Sequence, residues 1–68
     1  MNHFRVGVER WRLDTFVKSV LNASGSVDGV VFDRTKEWDV RVSLSGSREE
    51  AEEVVRRLPH TLDYEAIE

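Results

Sequence analysis

The sequence predicts an α+β domain of the ferredoxin-like kind, on three observations. Four segments have strand-like apolar patterns, most of them alternating with period two. Two further segments repeat apolar residues at helical spacing. Their order is strand, helix, strand, strand, helix, strand. Two split βαβ units in that order make a four-stranded antiparallel sheet, order 4-1-3-2, with both helices on one face. The first and third strands are then central, and the second and fourth are edges. At 68 residues the chain makes one domain, 1–68.

The first strand is residues 3–9, where Phe4, Val6 and Val8 face the core and His3, Arg5, Gly7 and Glu9 face away. Over residues 13–22 the period changes. Leu13, Phe16, Val17, Val20 and Leu21 form one helical stripe. The helix is expected to end with Gly25 in the left-handed cap conformation. Residues 29–34 read as the second strand, with Val30, Val31 and Phe32 placing apolar groups on both faces. After a turn at "RTKE", Trp38, Val40, Val42 and Leu44 point inward along the third strand, and Asp39, Arg41 and Ser43 outward. The second helix runs from about 48 to 58 on the stripe Ala51, Val54, Val55 and Leu58, and Pro59 stops it. Its start, "SGSREE", resembles a phosphate-cradling loop, but Ser47 and Glu50 have the spacing of a capping box. Four glutamates in the first two turns suit the helix dipole and would repel a phosphate. The last strand, "TLDYEAIE", is expected to point Leu62, Tyr64 and Ala66 inward.

Ten basic residues stand against thirteen acidic ones, a net charge of −3. That balance is too acidic for a generic nucleic-acid binder. No cysteine is present, which excludes disulfides and thiolate metal sites. No apolar run reaches membrane-spanning length, and the N-terminus lacks the apolar core of a signal peptide. The expectation is a cytoplasmic protein that does not enter membranes. A start at Met1 with no visible linker leads to the expectation of a complete small gene product.

The predicted topology sorts the loops to two ends of the sheet. "NASGS", "SGS" and both termini share one end. The other end collects Arg10, Arg12, Arg34, Lys36, Arg56 and Arg57, with Trp11, His60 and the nearby Trp38. Arg and Trp are enriched in binding hot spots. The proposed partner contact is Arg10, Trp11, Arg12, Arg34, Lys36 and His60. Arg56 and Arg57 also stand four residues after Glu52 and Glu53, an ordinary surface pairing. On the open sheet face Arg5 and Arg41 are flanked by Asp39, Asp63 and Glu65, with no outward aromatic for stacking bases. Val31, on an edge strand, is exposed unless a second copy, a partner or the "ASGSVDG" loop covers it.

The segment "VRVSLSGSREEAEEVVRRL" resembles the third strand and second helix of acylphosphatases, which share the predicted strand order. The phosphate cradle of that family is a glycine-rich first loop ending in arginine. Here the loop is "VGVERWR", with Trp and Glu where bare amides are needed, and the asparagine of the second-strand region is missing. The resemblance covers about a third of the chain and implies fold, not activity. The two histidines, His3 and His60, fall at opposite ends, so neither a shared metal site nor a Ser-His-acid constellation is expected.

The expected function is non-enzymatic protein binding. The picture is a small regulatory or inhibitory accessory protein that occludes a partner surface, with a homodimer through strand two at Val31. Small phage or plasmid proteins that block host machinery share this size profile. The alternative is nucleic-acid binding through Arg10, Arg12, Arg34 and Lys36. A more distant one is an acylphosphatase-like enzyme. No cofactor and no metal are expected.

Overall fold

The computed structural model describes residues 1–32 and 37–67. In chain order the elements are β1 (Asn2–Glu9), a 3-10 turn (Arg10–Arg12), α1 (Leu13–Asn22), β2 (Ser26–Phe32), β3 (Glu37–Leu44), α2 (Arg48–Arg57) and β4 (Thr61–Ile67). They form an α+β structure in which all strand pairs are antiparallel. The strand order is β2-β3-β1-β4, which read from the β4 edge is 4-1-3-2. β1 and β3 are central, and β2 and β4 are edges.

Period two builds the sheet's inner face. Phe4, Val6 and Val8 of β1 pair across to Val42, Val40 and Trp38 of β3. These β1 residues, with Val40, Val42 and Leu44, form one buried cluster with Phe16 and Val20 of α1 and with Ala51, Val55 and Leu58 of the α2 region. Both helices therefore turn their stripes to the same sheet face, although Leu21, at the end of the α1 stripe, is 58% exposed. Trp38 and Tyr64 pack on the rim of this core, and Tyr64 meets Phe4 edge-to-face at 6.4 Å.

α2 starts as its sequence dictates. Ser47 Oγ accepts from the Glu50 amide at 3.1 Å, and the Ser47 amide donates to Glu50 Oε1 at 3.2 Å. The bond from the Ser47 amide, and after it the Ser47 side chain, hold the Glu50 carboxyl below its usual pKa. The helix ends at Arg57, just before Pro59.

Four expectations need correction. α1 ends in a Schellman motif, but Ser24, not Gly25, takes the left-handed conformation, with φ 61°. The Gly25 amide donates to Val20 O and the Ser24 amide to Leu21 O. Gly25 is needed for space instead, because a Cβ there would lie 2.5 Å from Leu44 Cδ2 and 3.1 Å from Ser43 O. Second, β2 begins at Ser26 rather than 29, so this segment is strand and cannot fold over the edge as a loop. A register shift between Val27 and Gly29 inserts Asp28 and hides the period-two signal. Third, Leu62 is 58% exposed. The register shift between Gly7 and Val8 sets Thr61 opposite Val8 and leaves Leu62 extra. Ala66 does pair with Phe4 but is exposed on the edge. Fourth, Ser43 faces outward yet is only 2% exposed, for a reason given below.

Candidate functional site

The sheet end around Trp11 is tied down along its backbone. The Glu9 amide donates to His60 O at 3.1 Å, joining the end of β1 to the turn after α2. The chain then makes the 3-10 turn, and Trp38 Nε1 donates to Arg10 O at 2.9 Å from the β3 side. Trp11 stands out from this fixed turn, 80% exposed. The Arg10 guanidinium carbon lies 5.0 Å from the Trp11 ring centroid, within cation–π range. Arg12 is exposed and forms no ion pair or hydrogen bond among the described residues. His60 takes a left-handed φ of 62°, and its Nδ1 lies 3.8 Å from Glu9 Oε2.

Two basic residues of this end that lie outside the predicted contact are held by local partners. Arg56 donates to Tyr64 Oη at 3.0 Å and to Glu52 at 3.2 Å. The bond to Tyr64 raises the Arg56 pKa, and the nearby Glu52 adds to it. Arg57 pairs with Glu53 at 3.0 Å. Arg56–Glu52 and Arg57–Glu53 are the helical i,i+4 pairs that the spacing anticipates, and both arginines remain exposed at the surface. Arg34 and Lys36 lie outside the described residues. A shallow hollow of about 450 Å³ opens next to His60, lined also by Arg56, Leu62, Asp63 and Tyr64. Leu62 is the contact candidate that the sequence misses. Its exposure depends on the β4 register shift, which has no local signal.

The open sheet face is a charge lattice. Arg5 lies 2.6 Å from Asp39, 2.9 Å from Glu65 and 3.6 Å from Asp63. The bond to Glu65 does most to raise its pKa, so the guanidinium stays charged. In the next row, Gly7 pairs with both Asp39 and Asp63, and a Cβ on Gly7 would collide with the Asp63 carboxylate. Among the described residues no aromatic faces outward here. Trp38 and Tyr64 pair with Val8 and Val6, on the inner side. This face offers no platform for stacked bases.

One constellation overturns an expectation. Ser43, His3 and Asp28 do come together, from three neighbouring strands. Ser43 Oγ donates a short bond to the Asp28 carboxylate, and His3 Nδ1 lies 2.8 Å from the same oxygen. The order differs from a catalytic triad. There the serine proton goes to the imidazole, and the carboxylate orients the imidazole. Here the serine hydroxyl donates to the carboxylate, and the same Oγ lies within hydrogen-bond distance of His3 Nδ1. The three side chains form one hydrogen-bonded knot across β2, β3 and β1. The knot holds the inserted Asp28 to β3 and explains why an outward serine is buried. His3 and His60 remain at opposite ends, and no group of three or more potential metal ligands occurs among the described residues. No helix among them is long and apolar enough to cross a membrane.

No family model matches the chain, and neither the curated proteins nor the solved structures searched contain a match to it.

Proposed function

We propose that this is a ferredoxin-like domain acting as a non-enzymatic protein-binding module. In this reading it is a small regulatory or inhibitory accessory protein that occludes a surface of a larger partner. The element order, and both helices packing on one sheet face, support the fold assignment. The observation that carries the function is Trp11, 80% exposed on a turn whose backbone is bonded from both sides. A tryptophan outside the core contributes little to folding. On a turn bonded at Glu9 and Arg10, it has less backbone entropy to lose on docking, which favours affinity. Arg10 stacked on its ring, Arg12, His60 and Leu62 complete the contact surface. Arg34 and Lys36 belong to the same proposal from the sequence. Self-association along β2 at Val31, which is 58% exposed, is a separate part of the reading.

The test compares captures from native host lysate by the unmodified chain and by a Trp11→Ala/Arg12→Glu variant. The variant should lose the specific partner while keeping its melting temperature and circular dichroism. Equal capture by both proteins removes the Trp11 end from consideration. If the captured species is instead nucleic acid with affinity falling steeply in salt, the nucleic-acid reading replaces this one.

A further inference from the structure

The two edges of the sheet differ in charge. β4 carries Asp63 and Glu65 on its outer face, where two copies would set like charges together. β2 carries Asp28 at its register shift, but no charge and no proline over Gly29–Phe32, although exposed edges are normally blunted by such residues. Val30 and Val31 are 41% and 58% exposed on this edge. Val30 pairs with Val40 and so lies on the inner face. Val31 pairs with Asp39 and Gly29 with Arg41, both on the outer face. A Cβ built on Gly29 would meet no atom within 4 Å. Gly29 is therefore an open socket beside the outward knob Val31. Arg41, next to the socket, forms no ion pair or hydrogen bond among the described residues.

We propose that β2 pairs antiparallel with β2 of a second copy about a two-fold axis at Val30, so that Val31 of each copy seats over Gly29 of the other. The proposal rests on the self-association reading of β2 and is independent of the Trp11 contact. A two-fold interface must be self-complementary, and only certain registers keep the inner and outer faces aligned. An axis at Gly29 sets two sockets against each other and leaves both knobs exposed. An axis at Val31 sets two knobs against each other. An axis at Val30 fills both sockets at once, and it lets each Arg41 stem lie against the incoming valine. The result is one continuous sheet with the helices of both copies on one side. Because the pairing is antiparallel, the two Trp11 ends point in opposite directions. The dimer would then hold two partner molecules, one at each end.

The chain has no cysteine, so single substitutions report the register without background. Directly opposite strand residues stand about 4.5 or 5.5 Å apart at Cα, inside the disulfide range of roughly 4.4–6.8 Å. Diagonal neighbours at roughly 7–8 Å are outside it. Gly29→Cys, Val30→Cys and Val31→Cys would each be oxidised mildly in the folded state. Val30→Cys should give the disulfide-linked dimer, and the other two should stay unlinked over the same time. Faster linking of Gly29→Cys or Val31→Cys overturns the register. Sedimentation equilibrium provides a second measurement. Val31→Lys should shift the unmodified dimer to monomer without changing its circular dichroism. A monomeric unmodified chain, or a dimeric Val31→Lys variant, overturns the pairing. The Trp11→Ala/Arg12→Glu variant should sediment as a dimer, so failure of partner capture and failure of pairing are read separately.

Discussion

At the sheet end where the chain begins, polar side chains are bonded to near neighbours. Asn2 Nδ2 donates to Leu44 O and Gly46 O, Ser47 and Glu50 cap α2, and Ser43 ties His3 to Asp28. Gly25 is pressed against Leu44 at the same end. At the opposite end the backbone is bonded just as firmly, but Trp11 and Arg12 project from it without burial or ion pairs among the described residues. The phosphate-like "SGS" helix start belongs to the first end. The comparison teaches that a site is better recognised by what stays unspent after folding than by which residue types are present.

Substitutions can break this contrast, and the largest effect is expected at Gly25. Gly25→Ala forces a methyl into fixed atoms of Leu44 and Ser43, and should cost about 1–3 kcal/mol in urea unfolding. Gly7→Ala meets mainly the tip of the exposed Asp63 side chain, which can swing away, and should cost less. A cost at Gly7 equal to that at Gly25 would mean that the open face is packed as rigidly as the helix side.

Next is the α2 cap. Ser47→Ala should lose about 1 kcal/mol. The same cap has a pH signature. The folded Glu50 carboxyl titrates below its ordinary 4.5. Its contribution is therefore complete above that value and is lost as the pH falls through the lower folded value. Glu50→Gln can still accept the Ser47 amide bond but does not titrate. Acid unfolding followed by circular dichroism should be less steep in this variant, and an unchanged acid limb would remove the carboxyl's role.

The smallest effect is expected at Trp11. Trp11→Ala should change stability by no more than about 0.5 kcal/mol, as surface positions do. A loss of several times that would show Trp11 to be part of the packing and would remove the contrast between the two ends.

Both helices are legible in the sequence because their signals are local. The stripes from Leu13 and from Ala51, the Ser47–Glu50 box and Pro59 all act within one or two turns. β1 and β3 are legible for the same reason, through strict alternation. The Trp11 end is legible in part. The Glu9–His60 bond sets the Arg10–Arg12 turn beside the turn after α2, but the bond of Arg56 to Tyr64 needs β4 to lie beside α2. Leu62 could not be read as exposed, since its period-two position is inward.

Local pattern, then, determined the elements, their order and the inner face of the sheet. These follow from side-chain period and capping chemistry between residues close in the chain. Tertiary structure decided the two register shifts, the close packing at Gly25, and the joining of Ser43 to His3 and Asp28. Each depends on residues 12 or more positions apart, and only strand pairing brings such residues within bonding distance.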